Sequence, residues 1–355
     1  MRVLLLSRYT RQGASSRVRS LQYLPALAAA GIEVQVAPLL DAAYLGDLYA
    51  GRATDWPHVA VRYLARLRQL ATAGRFDLLW VEKELFPLLP AGAERLLARL
   101  RVPYVVDYDD AVFHNYDRHR RPLVRRLLGR KIDVVMAHAR TVFAGNDYLA
   151  ARAQAAGARR VVALPTVVDL QRYPPPAASR AAGPLRIGWI GTPATAGYLQ
   201  AVVPALRAAA ADGAAVVLIG APPGTLADCG AECRPWQEAA EAEEIARFDI
   251  GIMPLPDAPF ERGKCGYKLI QYMACAVPCV ASPVGVNRSL LATGAGLLAA
   301  EPAQWHQALQ RLLADPALRM RAGRIGRAQV AARYSVQAQA PTLIAALREA
   351  ADDGA

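Results

Sequence analysis

Short apolar runs alternate with amphipathic stretches from the first residues of the chain. Val3 to Leu6, Val34 to Ala37, Leu78 to Val81, Val102 to Val106, Val134 to Ala137 and Val161 to Leu164 read as buried strands, with helical periodicity filling the gaps. Strands that are apolar throughout, each followed by a helix, predict a parallel sheet covered on both faces, because right-handed crossovers place a helix between parallel strands. The alternation stops at Arg172 to Pro184, "RYPPPAASRAAGP", which reads as an interdomain linker. A second series then begins with Leu185 to Ile190, Ala215 to Ile219, Ile250 to Met253 and Val277 to Ala281. Two tandem Rossmann-like domains follow, expected to face each other across a cleft, since ligands of such sheets bind beyond the carboxyl ends of the strands.

The length supports this division: 355 residues are too many for one ordinary core and suit two. The predicted boundaries are 1–173 for an N-terminal domain, 174–184 for the linker, 185–335 for a C-terminal domain and 336–355 for a last helix. Hydrophobic residues make up 54% of the chain and charged residues 20%, the balance of a soluble globular protein. No signal peptide or membrane span is readable. The five cysteines, Cys229, Cys233, Cys265, Cys275 and Cys279, lack paired CxxC spacing and read as free thiols of a reducing cytosol rather than a zinc site. The net charge of +12 is uneven: up to Tyr173 there are 26 Lys and Arg against 15 Asp and Glu, and beyond it 16 against 15.

Several strand-end loops carry candidate chemistry. In "SRYTRQGASSRVRS", Gly13, Ser15 and Ser16 precede a long helix closed by Gly31, and the free N–H groups of a helix start favour an anion. Simple capping of that helix explains the hydroxyls equally well; Arg17 and Arg19 favour an anionic acceptor. After Val102 to Val106 comes "DYDDAVF", with Asp107, Asp109 and Asp110 where a catalytic or ligand-orienting carboxylate belongs. Asp107 and Asp109 also spell DxD, which in some sugar-transferring enzymes holds a divalent metal, and capping of a following helix is a third reading. Arg118, Arg121, Arg125, Arg126, Arg130 and Lys131 flank a stripe of Leu123, Val124, Leu127 and Leu128. Such a basic amphipathic helix suits an anionic membrane surface or is a solvated face over core. Recognised nucleic-acid-binding features are absent from it.

In the second half, "LRIGWIGTPATAGYL" repeats the strand, glycine loop and helix layout, with Gly191 and Thr192 at the turn. The stretch "FERGKCGYKLIQYMACAVPCVASPVGVN", Phe260 to Asn287, is the most specific. Gly263 and Gly266 flank Lys264, and Tyr267 to Cys275 reads as a helix whose buried side carries Leu269, Ile270, Met273 and Val277, leaving Lys268, Gln271 and Tyr272 to face elsewhere. A lysine in a helix's first turn opposes the helix dipole unless an anion sits there, which points to a diphosphate. Asn287 reads as the N-cap of the next helix, so that two helix starts converge.

The segment Asp249 to Asn287 resembles the donor site of family-4 glycosyltransferases, the GT-B-fold enzymes related to those that build lipopolysaccharide, capsule and other surface glycans. The layout at Gly191, the "ASSRVRS" loop and the C-terminal run to Ser335 extend the resemblance to nearly the whole chain. It implies a nucleotide-sugar donor held by the second domain, an acceptor bound by the first, retention of configuration, no metal or other cofactor, and a last helix crossing back onto the first domain. Gly191, Thr192, Lys264, Gly266, Tyr267, Lys268, Gln271, Val286 and Asn287 would bind the donor, Ser15, Ser16 and Arg17 the acceptor, and Asp109 or Asp110 would face the donor sugar. The family's two glutamates, eight positions apart, appear here as Gly263 and Gln271. Thr192 and Gly197 replace its usual Arg and Lys, and Ala276 stands where glycine is common.

The leading expectation is therefore a retaining glycosyltransferase using a UDP- or GDP-sugar. Its acceptor would be a glycan or lipid-linked molecule, in bacterial surface polysaccharide or glycoconjugate synthesis. It would be cytoplasmic and peripheral at the inner face of the membrane, with no nucleic-acid partner. A non-catalytic GT-B scaffold that binds nucleotide or glycan is the alternative from another class, and a nucleotide-sugar epimerase of the same fold is a third.

Overall fold

The computed structural model describes residues 1–173 and 183–352; most of the expected linker, 174–184, lies outside the described residues. The chain forms two compact units: Met1–Thr166 with Arg262–Cys265 and Gln339–Ala355, and Val167–Glu261 with Gly266–Ala338. The second unit thus begins before the Pro-rich stretch, at Val167, and the short loop Arg262–Cys265 is part of the first.

Unit 1 is built on a six-stranded, wholly parallel sheet of β1 (Arg2–Leu6), β2 (Glu33–Val36), β3 (Leu78–Glu82), β4 (Tyr104–Tyr108), β5 (Thr141–Ala144) and β6 (Val161–Ala163), in the order β2-β1-β3-β4-β5-β6. Its central strands are apolar at nearly every position because helices cover both faces: Val3 to Leu6 and Leu78 to Val81 are all 1% exposed or less. Unit 2 repeats the plan with β7 (Arg186–Ile190), β8 (Ala215–Ile219), β9 (Glu232–Arg234), β10 (Ile250–Met253), β11 (Cys279–Ala281) and β12 (Gly296–Leu298) in the order β12-β11-β10-β7-β8-β9, again parallel.

The strand orders fix where chemistry belongs. In unit 1 the chain lays β2 on one side of β1 and β3 on the other, and in unit 2 it lays β8 and β10 on opposite sides of β7. Diverging loops at such a reversal leave a crevice beyond the carboxyl ends of the two strands. The crevice of unit 1 is bordered by the loops after Leu6 and Glu82, and that of unit 2 by those after Ile190 and Met253.

Some expected elements differ. Val134 to Ala137 is helical, within Lys131–His138, because Ile132, Val135 and Met136 bury one helical face; the strand follows at Thr141–Ala144. The long helix after the first loop is three short pieces, Ala14–Arg19, Leu21–Tyr23 and Leu24–Ala29. The basic segment is likewise divided, into His114–Asp117, Pro122–Leu128 and Lys131–His138. Lys131 does not belong to a solvated face: it is buried, its Nζ 2.5 Å from Glu84 Oε2. All five cysteines are free thiols, four of them buried.

Candidate functional site

The carboxyl ends of β1, β3 and β4 converge on a web of polar side chains in unit 1. Glu82, the last residue of β3, is buried and accepts hydrogen bonds from the Arg8 backbone N–H at 3.0 Å and the Ser16 hydroxyl at 2.5 Å. Ser16 in turn accepts from the Tyr9 N–H at 3.0 Å, so its oxygen closes the first loop from inside. Arg17 is 4% exposed, and its guanidinium donates to the Arg11 carbonyl at 3.2 Å. Of the three expected acceptor residues, Ser16 and Arg17 thus stitch the loop together, and Ser15 reaches the carboxylates.

The three aspartates of "DYDDAVF" have separate tasks. Asp107 is locked to Arg19, which donates through Nε at 2.8 Å and through a terminal nitrogen at 2.9 Å, and which also donates to the Leu164 carbonyl. A carboxylate filled by a bidentate guanidinium is a structural tie between β4 and the first helix rather than half of a DxD metal site. Among the described residues no group of three His, Cys, Asp or Glu is arranged to hold a metal ion. Asp109 accepts from the Ser15 hydroxyl at 2.7 Å and forms an ion pair with Lys83 at 2.9 Å. Asp110 lies 3.6 Å from the Lys264 ammonium. Burial alone would raise the Asp109 carboxyl, but Lys83, Arg19 and the Ser15 hydroxyl outweigh it and lower it to about 2. Burial and the charge on Asp109 raise the neighbouring Asp110 carboxyl instead, against the pull of Lys264 and Lys83. Adjacent carboxylates driven apart in this way are equipped for different proton states.

The loop Arg262–Cys265 is keyed into this web. Asn146 donates to the carbonyls of Gly263 at 2.8 Å and Lys264 at 3.2 Å, and the Cys265 thiol donates to the Asp109 carbonyl at 3.1 Å. A Cβ on Gly263 would sit 2.5 Å from the Ala111 Cβ, and one on Gly145 would sit 2.3 Å from the Cys265 sulfur. Both glycines are required by close approach. Lys264, expected beside Lys268 at a diphosphate, is a member of unit 1 paired with Asp110.

In unit 2 the turn after β7 packs on Trp189. A Cβ at Gly191 would meet the Trp189 ring at 2.4 Å, and the Lys268 ammonium stands 5.5 Å from the centroid of that ring. Trp189, missed in the sequence, therefore brings Gly191 and Lys268 together. The Gly191 N–H donates to the Ile219 carbonyl and the Thr192 N–H to the Thr195 hydroxyl, so both backbone donors expected at a phosphate are already used within the unit.

Gly266 caps the helix Tyr267–Ala274 at φ +67°, and a Cβ there would lie 2.4 Å from Leu290 Cδ1. Left-handed backbone and lack of space both demand glycine. Lys268 and Tyr267 are half-buried on the first turn of this helix. Gln271 and Tyr272 do not face away from the core as expected: they are 2% and 0% exposed. Gln271 Nε2 donates to the Tyr173 hydroxyl at 3.0 Å, which donates to Glu241 at 2.6 Å; Glu241 also accepts from the Trp236 N–H at 2.8 Å. Asn287 is the first helical residue and Val286 the N-cap, the reverse of the capping expected. Asn287 is 1% exposed, and its amide donates to the Ser282 carbonyl. Its Oδ1 lies 3.5 Å from where a Cβ of Gly266 would stand.

Residues 186–315 match the family described as Glycosyl transferases group 1. No curated protein matches the chain in sequence. Among solved structures, sucrose-phosphate synthase from Thermosynechococcus elongatus is similar with a TM-score of 0.73 at 16% identity, over 98% of both chains. HepE from Anabaena, in complex with UDP, gives 0.68 at 15% identity over 98% of this chain and all of that one, and has also been solved with UDP-glucose. WaaG, a glycosyltransferase involved in lipopolysaccharide biosynthesis, gives 0.67 at 14% identity over 98% of this chain and 99% of that one. The two parallel sheets have the GT-B fold, and the matched stretch together with that fold supports a glycosyltransferase enzyme.

Proposed function

We propose that the protein is a retaining glycosyltransferase. It moves a sugar from a UDP- or GDP-sugar to a glycan or lipid-linked acceptor in the synthesis of a bacterial surface polysaccharide or glycoconjugate. The observation that carries the reading is the placement of Lys268: a cation in the first turn of a helix, beside the glycine turn after β7, within the stretch that matches the glycosyltransferase family. A helix start repels a lysine, and a nucleotide diphosphate turns that cost into a gain. As the glycosidic bond to the nucleotide breaks, charge builds on the departing diphosphate, and a lysine with helix N–H groups stabilises it. Gly266, Tyr267, Val286 and Asn287 shape the donor end of unit 2. Asp109 and Asp110 attend the transferred sugar or the acceptor hydroxyl, and Lys264 stands beside Asp110 as its counter-charge. No metal is assigned a step. HepE binds UDP, which makes UDP-sugars the first donors to test.

The basic first half supports work at the cytoplasmic face of an anionic membrane. Leu123 and Leu127 are 65% and 64% exposed among Arg118, Arg121, Arg125 and Arg126, an outward apolar stripe framed by cations. No helix of the described residues is long and apolar enough to cross a membrane, so attachment would be peripheral.

Gln271 favours a second reading, a nucleotide- or glycan-binding scaffold without turnover. Where the resembled family carries a carboxylate, this amide spends its Nε2 on Tyr173. Thermal unfolding with UDP, GDP and their sugar conjugates, followed by nucleotide release from whichever conjugate stabilises the fold, separates the two. Stabilisation with release supports the transferase, stabilisation without release the scaffold, and absence of both removes the donor site.

A further inference from the structure

Lys83 has a backbone that lysine rarely adopts. It follows the last residue of β3 at φ +65°, and the Glu84 N–H donates to the Glu82 carbonyl across it at 2.8 Å, a three-residue turn with positive φ at its centre. That turn is rare and strained for a residue with a Cβ, and such strain collects where a side chain must be aimed. The residue is 5% exposed, so its aliphatic stem and ammonium are both taken out of water. Its partner is the Asp109 carboxylate, at 2.9 Å on Oδ1, while the Ser15 hydroxyl holds Oδ2 at 2.7 Å. One oxygen is fixed from the end of β3 and the other from the first helix, and the Cys265 thiol holds the Asp109 carbonyl at 3.1 Å. Asp110, next in the chain, is held by the longer contact to Lys264, and its side chain is 29% exposed against 12% for Asp109.

We propose that Lys83 is a positioning residue: it clamps Asp109 against Ser15, and by fixing that carboxylate sets Asp110 as the member of the pair presented to substrate. This rests on the role assigned above to the aspartate pair. Lys83 is expected to act through Asp109 and to touch neither donor nor acceptor. The strained turn is thereby given a purpose: it accompanies a side chain aimed at Asp109. The lowered carboxyl of Asp109 agrees with the geometry.

The test is a double-mutant cycle read by UDP release from UDP-glucose, with thermal melting as the control for folding. Lys83→Met should lower kcat roughly 10- to 100-fold with little change in KM, the scale set by misplacing a reacting group. In an Asp109→Asn background the same change should cost almost nothing more, because the clamped carboxylate is already gone. Lys83→Arg, which keeps the cation, should restore much of the rate. If Lys83→Met slows the Asp109→Asn enzyme as much as the native one, Lys83 acts independently and the clamp is wrong. Full turnover by both Asp109→Asn and Asp110→Asn removes the role of the pair itself, whereas full turnover by Lys83→Met beside a slow Asp109→Asn removes only the clamp.

A second readout does not depend on the donor. With carboxyl-labelled aspartate, NMR titration follows Asp109 among the charged and titratable groups around it: Lys83, Arg19, Glu82, Asp107, Asp110, Lys264 and the Cys265 thiol. Losing the Lys83 cation should raise the Asp109 midpoint by about 1 to 3 on the pH scale. An unmoved midpoint overturns the proposal even if UDP-glucose is not turned over, and Lys83→Gln serves if the methionine variant melts early.

Discussion

The Lys268 ammonium stands 5.5 Å from the centroid of the Trp189 ring, whose edge also closes on Gly191. The ring holds the cation in place while contributing little binding energy itself, since a partly exposed cation–π contact is worth about 0.5–1 kcal/mol. In Lys268→Ala the loss of the Trp189 contact should therefore cost no more than that, while nucleotide binding is abolished. At a hundred times its dissociation constant a nucleotide stabilises the fold by about 2.7 kcal/mol, a change easily read in a melting curve. A Lys268→Ala protein that still gains the full stabilisation from UDP or GDP would dissociate this lysine from the diphosphate.

Asp109 predicts an acid-side loss of stability with a defined sign. Its carboxyl is lowered from the ordinary 3.8 to about 2, so the folded state favours the ionised form. The contribution is complete above pH 4 and is lost as pH falls from 4 toward 2. A lowering of this size corresponds to about 2 kcal/mol. Urea denaturation at pH 6 and pH 3 should show the native protein losing more stability on acidification than Asp109→Asn does. Parallel losses would mean that Lys83 and Ser15 hold the carboxylate less firmly than their distances imply.

The Arg19 and Asp107 pair should behave as a buried tie. Both residues are 2% exposed, and each carboxylate oxygen of Asp107 receives a guanidinium nitrogen. Arg19→Met leaves a buried carboxylate without its partner, which costs about 3–5 kcal/mol. Folding cooperativity and melting temperature check this directly, and a cost below about 1 kcal/mol would show water reaching Asp107.

The strands of both sheets are legible in the sequence where burial on two faces makes them uniformly apolar, as at Val3 to Leu6 and Ala215 to Ile219. Glu232–Arg234 and Gly296–Leu298 escape because edge strands of three residues carry no such run. Val134 to Ala137 misleads because a β-branched pair at a helix's half-buried edge looks locally like a strand. Site residues are legible as positions at strand ends but not as partners. Helical spacing alone points Gln271 outward, whereas its contact is Tyr173, 98 residues earlier. Lys83 escapes notice because only its φ of +65° and the proximity of Asp109 single it out from other lysines at a strand end.

The basic segment makes a prediction about surfaces. Leu123 and Leu127 project outward, framed by arginines, so an anionic bilayer gains from both apolar insertion and charge. Flotation with vesicles containing phosphatidylglycerol should recover more protein than with neutral vesicles, by about 1 kcal/mol for each arginine near the surface. Changing both leucines to serine should reduce recovery from either vesicle. Equal recovery from neutral and anionic vesicles would remove the electrostatic part.

Ala276 is the clearest place where this chain departs from its own backbone requirements. It follows the helix Tyr267–Ala274 at φ +54°, with its N–H donating to the Met273 carbonyl and the Val277 N–H donating to the Tyr272 carbonyl. These two bonds close the helix in a Schellman motif, whose left-handed position normally carries glycine. The alanine Cβ costs about 1–2 kcal/mol there. Glycine removes that cost but gives back about 0.5–1 kcal/mol in chain entropy. Ala276→Gly should therefore stabilise unit 2 by about 0.5 to 1 kcal/mol, raising its melting temperature by roughly 1 to 4 °C. Because the change lies at the opposite end of the helix from Lys268, nucleotide binding should be untouched. A lower melting temperature would mean that the Ala276 methyl contributes packing that outweighs its backbone strain.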